Sequence, residues 1–153
     1  MEIENRLKEI GIELPSPVKP VANYVTTVQT GSLVFTSGHG PVNVSGDLQT
    51  GQLGADMTVE EGYQSARLVG LGLISTLKDA LGDLDRIKRV VKVVGFVNST
   101  PAFLDHPKVI NGVSDLLVEV FGDKGRHARS AVGMVQLPGG IPVEVEVIVE
   151  VED

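Results

Sequence analysis

Apolar residues recur at two periods along this chain, and the alternation between the periods predicts its elements. Ile3, Leu7 and Ile10 fall on one stripe of a short amphipathic helix over Glu2–Ile10. Gly11 and the prolines at 15, 17 and 20 end that helix and predict an extended arm rather than a domain linker. Tyr24–Val28 and Leu33–His39 read as strands, with Thr30 and Gly31 turning between them. The stretch from Gly40 to Asp56 is rich in glycine and poor in large apolar groups, which predicts a loop or irregular strand. Thr58 and Glu61 have capping-box spacing, and Ala66, Val69, Leu73, Leu77 and Leu81 then form the stripe of a long helix ended by Gly82. A β-rich run follows over Ile87–Val97. Asp105 and Pro107 are the residue types that open a helix, here with Val109, Val113, Leu116, Leu117 and Val120 on its buried face and Gly122 at its end. Arg129–Leu137 and Val143–Val151 close the chain as two strands, and the Pro138-Gly139-Gly140-Ile141-Pro142 turn between them reads as a hairpin.

The order ββ-α-β-α-ββ predicts an α+β domain with two helices on one face of a mixed sheet. In the last strand, Val143, Val145, Val147, Val149 and Val151 should face the helices. Glu144, Glu146, Ile148, Glu150 and Glu152 alternate with them. The other strands place Val, Leu and Phe on both faces, so a second apolar surface is left over and predicts a homo-oligomer. The chain has 153 residues, which fits one domain. Residues 1–19 form a helix and proline-rich arm, and residues 20–153 the domain proper.

Composition narrows the function. A net charge of −7 argues against nucleic acid as the main partner, because phosphate binding needs a clustered basic surface. Arg86, Lys88, Arg89 and Lys92 are close in sequence. On a regular strand Arg89 would point away from the other three, so the run reads as a solvated sheet edge. With no Cys there is no disulfide, thiol nucleophile or thiolate metal site. The first ten residues lack the apolar core of a signal peptide, and no run approaches membrane-spanning length, so a cytoplasmic protein is expected.

Several residues invite both a chemical and a bland reading. Gly38-His39-Gly40 is too short for a dinucleotide fingerprint; it and the helix glycines Gly70 and Gly72 read as structural, Gly38 for an unusual backbone angle and the helix pair for close approach of the sheet. His39, His106 and His127 lack metal-ligand spacing, and a Ser37–His39 pair lacks a nucleophile elbow. Arg129 leads into an apolar strand. It is either an arginine reaching along the surface to water or a bidentate fork for a carboxylate, a task Lys does less well. Glu144 is either one more solvated strand acid or a general base that holds a water. Asn111 lies mid-helix, where Asn is a poor helix former, and is either a surface residue or a polar group aimed at a ligand.

Thr36-Ser37-Gly38, Arg129-Ser130-Ala131-Val132, Leu137-Pro138 and Val143-Glu144-Val145-Glu146 together resemble the signature of the reactive-intermediate deaminases, the YjgF group also labelled endoribonuclease L-PSP. The resemblance runs from about Pro20 to Val151 and is most specific between Arg129 and Glu144. It implies a chorismate-mutase-like α+β fold, a homotrimer and active sites in the clefts between subunits. The implied reaction is hydrolysis of 2-imino acids and their enamine tautomers, such as 2-aminoacrylate, to 2-oxo acids and ammonia, without cofactor or metal. On the same grounds Arg129 matches the carboxylate-binding arginine and Glu144 the water-positioning glutamate. Tyr24, Ser37, Gly38, Asn111 and Ala131 match the remaining pocket positions, with Ala131, where many members have Cys, acting through its backbone carbonyl. Two features depart from the pattern: the N-terminal segment to Lys19 exceeds the short form of the family, and His39-Gly40 replaces the usual Gln and bulky aliphatic residue.

The hairpin reading carries a geometric expectation of its own. It places Arg129 opposite Val151 and Glu144 opposite Gln136, roughly 23 Å apart at ~3.3 Å per residue. The two side chains could then share a small substrate only if they came from different subunits. Competing functions are a non-catalytic protein that captures small carboxylates, and a ribonuclease or translation inhibitor. The acidic charge and the lack of an aromatic platform for bases count against the latter.

Overall fold

The computed structural model describes residues 1–152. Its helices are α1 (Glu2–Glu9), α2 (Val59–Leu81) and α3 (His106–Phe121). Its strands are β1 (Thr27–Thr30), β2 (Leu33–Thr36), β3 (Ile87–Asn98), β4 (Ala128–Met134) and β5 (Val143–Val151), which form one sheet in the order β1-β2-β5-β3-β4. The architecture is α+β, with α2 and α3 packed on one face of the mixed sheet.

Local signals place the helices. Thr58 and Glu61 form the reciprocal capping box, Glu61 N–H donating to Thr58 Oγ1 at 3.1 Å and Thr58 N–H to Glu61 Oε1 at 3.0 Å. Gly82 and Gly122, both at positive φ, end α2 and α3. The α2 stripe, the α3 stripe and the five valines of β5 are all buried in one core, where each Val or Leu contributes about 2 kcal/mol by leaving water. Two glycines bring the helices together. A Cβ at Gly70 would collide with Leu116, and one at Gly112 with the Tyr63 carbonyl oxygen. Gly70 therefore serves helix–helix contact rather than approach of the sheet, and Gly72 faces open space.

The closing strands do not form a hairpin. β4 pairs parallel with β3, Val93 opposite Arg129 and Asn98 opposite Met134, while β5 pairs antiparallel with the other edge of β3. The chain between β4 and β5 therefore crosses over the end of β3. Asn98, buried at that end, fixes the crossing: its N–H donates to the Pro142 carbonyl at 2.8 Å, and its side-chain amide donates to Gln136 Oε1 at 2.6 Å and to the Ile141 carbonyl at 3.1 Å. Turn-forming residues suit a crossover as well as a hairpin, and the buried acceptors that choose between them are distant in sequence.

Three strand boundaries also differ from the periodicity. β1 begins only at Thr27, because Tyr24 and Val25 lie outside the ladder; Ser37 instead reaches back to this segment through a bond from its N–H to the Thr26 carbonyl at 2.8 Å. β2 stops at Thr36, and His39 rejoins the sheet by a single bridge to Val145. β4 stops at Met134 rather than Leu137. Of the basic run, Arg86 precedes β3 while Lys88, Arg89 and Lys92 lie on it, an interior strand whose residues up to Val91 precede the β4 pairing and form a local edge. Register shifts there bring Arg89, opposite Glu150, and Lys92, opposite Ile148, to the same face, and Arg89 pairs with Glu150 at 3.0 Å.

The N-terminal segment packs onto this domain. Leu7 is buried, Arg6 Nε donates to the Glu119 carbonyl of α3 at 3.0 Å, and the Pro15 carbonyl accepts from Ser75 Oγ of α2 at 2.5 Å. Among the described residues no helix is long and apolar enough to cross a membrane.

Candidate functional site

Paired residues in a sheet point to the same side, so the register assigns every candidate a face. Arg129 lies opposite Val93, which is buried toward the helices. Glu144 lies opposite Phe96, on the face that the helices leave open. The two positions are three residues apart along β3 and on strands flanking it, about 10 Å along and about 10 Å across the sheet. The separation is shorter than a hairpin would give, but the sheet itself stands between the side chains. Within one subunit they cannot grip one small substrate, for a different reason than the hairpin supplied.

On the helix side, Arg129 reaches α3. Its Nη1 donates to Asn111 Oδ1 at 2.8 Å and to Ser114 Oγ at 3.1 Å. Two acceptors on one nitrogen occupy both of its N–H bonds. Nε and Nη2 have no protein partner among the described residues, and no carboxylate there lies within ion-pair distance of the guanidinium. The open Nε–Nη2 edge is a planar two-donor fork that matches the two oxygens of a carboxylate. Ala131, two residues along β4 and opposite Gly95, lies on the same side against the core.

Sequence reasoning missed two members of this cluster. Ser114 lies one helical turn beyond Asn111, so both face Arg129 from α3. His127 has the strand parity of Arg129, and its Nε2 lies 2.8 Å from Ser114 Oγ while Nδ1 lies 2.6 Å from the Gly125 carbonyl oxygen. Spacing from Asn111 and Arg129 was the available signal for each.

On the open side, Glu144 meets the segment after β2. A Cβ on Gly38 would collide with Glu144 Oε2, so Gly38 is needed for its size and not for its backbone, which is not at positive φ. Burial raises the Glu144 carboxyl above the ordinary glutamate range, and the like charge of Glu146 adds to the shift. Ser37 Oγ donates to the Val25 carbonyl at 2.6 Å, which draws the exposed Tyr24 segment toward Ser37. His39 is not paired with the Ser37 hydroxyl. It points into the core, with Nδ1 on the Ser37 carbonyl at 2.8 Å and Nε2 on Thr76 Oγ1 at 2.8 Å, and burial lowers its pKa. His106 bonds Ser99 Oγ through Nε2 at 3.0 Å and packs edge-on against Phe103.

The candidates thus fall into two groups, Arg129 with Asn111 and Ala131 on the helix side, and Glu144 against Gly38 on the open side, with Ser37 next to Gly38 in the chain and bonded to the Tyr24 segment at Val25. The fold is that of a small α+β protein, and the open edge of Arg129 has the donor geometry that a carboxylate requires. The chain belongs to the family described as "YjgF/chorismate mutase-like, putative endoribonuclease", whose model matches residues 4–148. It is 50% identical over 148 residues to protein TCP17 of Trypanosoma cruzi, covering 96% of this chain and 92% of that one. Among solved structures it resembles the Agrobacterium tumefaciens protein Atu1372, of unknown function, with TM-score 0.91 and 44% identity over 99% of this chain and 93% of the other. A Shewanella oneidensis structure matches with TM-score 0.93 and 40% identity, covering 97% of this chain and 99% of that one.

Proposed function

We propose that the protein hydrolyses reactive 2-imino acids and their enamine tautomers, such as 2-aminoacrylate, to 2-oxo acids and ammonia, in a homotrimer whose sites lie between subunits. The observation that carries this reading is the open Nε–Nη2 edge of Arg129, a charged fork with no protein anion to satisfy it among the described residues. Family membership supports it, because the group includes imine deaminases. The apolar residues on the open face of the sheet, Val28 and Phe35 with Val132 and Met134, support assembly through that face.

The fork receives the substrate carboxylate and so fixes C2 at the cleft. An enamine first takes a proton at its terminal carbon and becomes the iminium. Glu144 of the neighbouring subunit then accepts a proton from water as its oxygen bonds to C2, giving a carbinolamine. The proton passes from Glu144 to nitrogen, ammonia leaves with the C–N bonding pair, and Glu144 takes the hydroxyl proton as the oxygen closes to the 2-oxo acid, a proton it can return to the next enamine. A carboxylate whose pKa is raised holds a proton more readily than an ordinary glutamate, which suits it to this transfer. Imines also hydrolyse unaided, so positioning and one proton acceptor suffice.

The test is to generate 2-imino acids in place with an amino-acid oxidase and follow semicarbazide trapping against ammonia release. Wild-type protein should cut trapping, and Arg129→Ala should lose the effect by about a thousandfold in kcat/KM, since two charge-assisted hydrogen bonds contribute about 2 kcal/mol each. Equal rates for the two proteins would reject the reading. Carboxylate binding without hydrolysis would instead favour a capture protein, the reading that Arg129 alone supports.

A further inference from the structure

We infer that Ser114 and His127 are positioning residues for Arg129, a relay that decides which edge of the guanidinium faces the ligand. This rests on the reading of Arg129 as a carboxylate clamp. The direction of every proton in the relay follows from chemistry. The Gly125 carbonyl can only accept, so His127 carries its proton on Nδ1. The neutral ring then has a lone pair at Nε2, which takes the single proton of the Ser114 hydroxyl. Arg129 can only donate, so the remaining lone pairs of Ser114 Oγ are free for Nη1. Donation runs one way, from Arg129 to Ser114 to His127 to Gly125.

Both ends of the relay are fixed. Gly125 is pressed against the end of α3, where a Cβ would collide with the Leu117 carbonyl oxygen. At the other end Asn111 takes the second Nη1 proton. With Nη1 fully engaged, the guanidinium cannot present its Nη1–Nη2 end to a ligand without breaking a bond, and the Nε–Nη2 side is what remains. Burial keeps His127 below its ordinary pKa, the Gly125 carbonyl opposes that, and the Arg129 charge adds to the lowering. Of the other charged groups on the surrounding elements, Asp115 is engaged by Tyr63 and Asp123 by Arg126, while Lys124 makes no bond to the ring.

Pyruvate, a 2-oxo acid product, is the probe. Ser114→Ala should raise its Kd and the substrate KM about tenfold with kcat within about twofold, the effect of losing one hydrogen bond to a charged group. Ser114→Thr, which keeps the hydroxyl, should restore both. His127→Ala should match Ser114→Ala, and the double variant should be no worse than either, because the two act in series. In wild-type protein, imidazole nitrogen shifts should report the Nδ1–H tautomer, and saturating pyruvate should raise the His127 pKa by screening Arg129. Additive losses, an Nε2–H tautomer, or a His127 pKa blind to pyruvate would overturn the relay, the last two even if the variants fail to fold. Arg129→Ala separates the two levels. If it binds pyruvate as wild type does, the clamp itself is wrong. If it loses pyruvate while Ser114→Ala and His127→Ala keep it, only the relay is wrong.

Discussion

The guanidinium of Arg129 is held by two acceptors on the helix side of the sheet and presents a finished two-donor edge, whereas Glu144 on the open side makes no side-chain hydrogen bond among the described residues and stands beside Glu146. One group is oriented before any ligand arrives. The other is a half-buried carboxylate that occupies the space left by the missing side chain of Gly38. On the proposed reading, a single subunit is organised for anion capture and incomplete for chemistry, and the missing half would come from a neighbouring copy. Preorganised donors cost nothing to arrange at the moment of binding, so the two acceptors on Nη1 would favour the clamp proposed for Arg129.

The most decisive way to break this comparison is to separate the halves. Arg129→Ala and Glu144→Gln chains should each be nearly inactive as pure proteins. Co-assembled in equal amounts, they should regain about a quarter of wild-type activity, because a site drawing one residue from each of two subunits finds both intact in one interface of four. A mixture as inactive as its components would place both groups in one subunit or remove one of them from the reaction.

A smaller effect sharpens the role of Gly38. In Gly38→Ala the new methyl group meets the far end of a flexible side chain, so the Glu144 carboxylate should move and the fold should persist. A displacement of about 1 Å predicts a loss of roughly a hundredfold in kcat with unchanged pyruvate affinity. The pH profile should move with it. Glu144 acts as a base only when ionised, so wild-type kcat/KM should fall as pH drops through its raised pKa, above the ordinary glutamate range. In Gly38→Ala the limb should shift to lower pH as the carboxylate is pushed toward water. A wild-type limb in the ordinary range would remove Glu144 from the role of base.

How much of this was legible in the sequence depends on whether each signal is local. The Thr58–Glu61 box and the Asp105-Pro107 start are written within four residues and fall where expected, although Asp105 makes no side-chain cap bond. The valine alternation of β5 predicted its buried face, because one strand carries its own parity. The pairing of β4 did not follow from parity, since the buried Asn98 that anchors the crossover lies 40 residues before Pro138 and turn residues suit either outcome. The site divides the same way. Asn111 and Arg129 were candidates, but their contact needed α3 to lie over the edge of β4. His127 is one of three histidines without metal-ligand spacing, and only the packing of α3 brings Ser114 beside it.

The smallest expected effect tests whether the clamp is insulated from the N-terminal arm. Asp85 accepts the Ile3 N–H at 2.9 Å and the Glu2 N–H at 2.8 Å, capping α1 from a distant turn. The Ile3 bond is the first cause, and the Met1 ammonium the next, of a pKa lowered to about 2. A depressed carboxylate stabilises above its unfolded pKa and loses that contribution as pH falls toward 2, so the cap is fully present at neutral pH. Asp85→Asn weakens it by about 1 kcal/mol, the usual cost of a lost helix cap, and should speed amide exchange across Glu2–Glu9. α1 docks on α3 through the Arg6 bond to the Glu119 carbonyl, more than one turn beyond Ser114. Of the Arg129 acceptors on α3, Ser114 is meanwhile tied through His127 to the Gly125 carbonyl. Pyruvate affinity should therefore stay within about twofold of wild type while the arm loosens. If affinity falls in step with exchange, α3 moves as one body and the arm is part of what holds the fork.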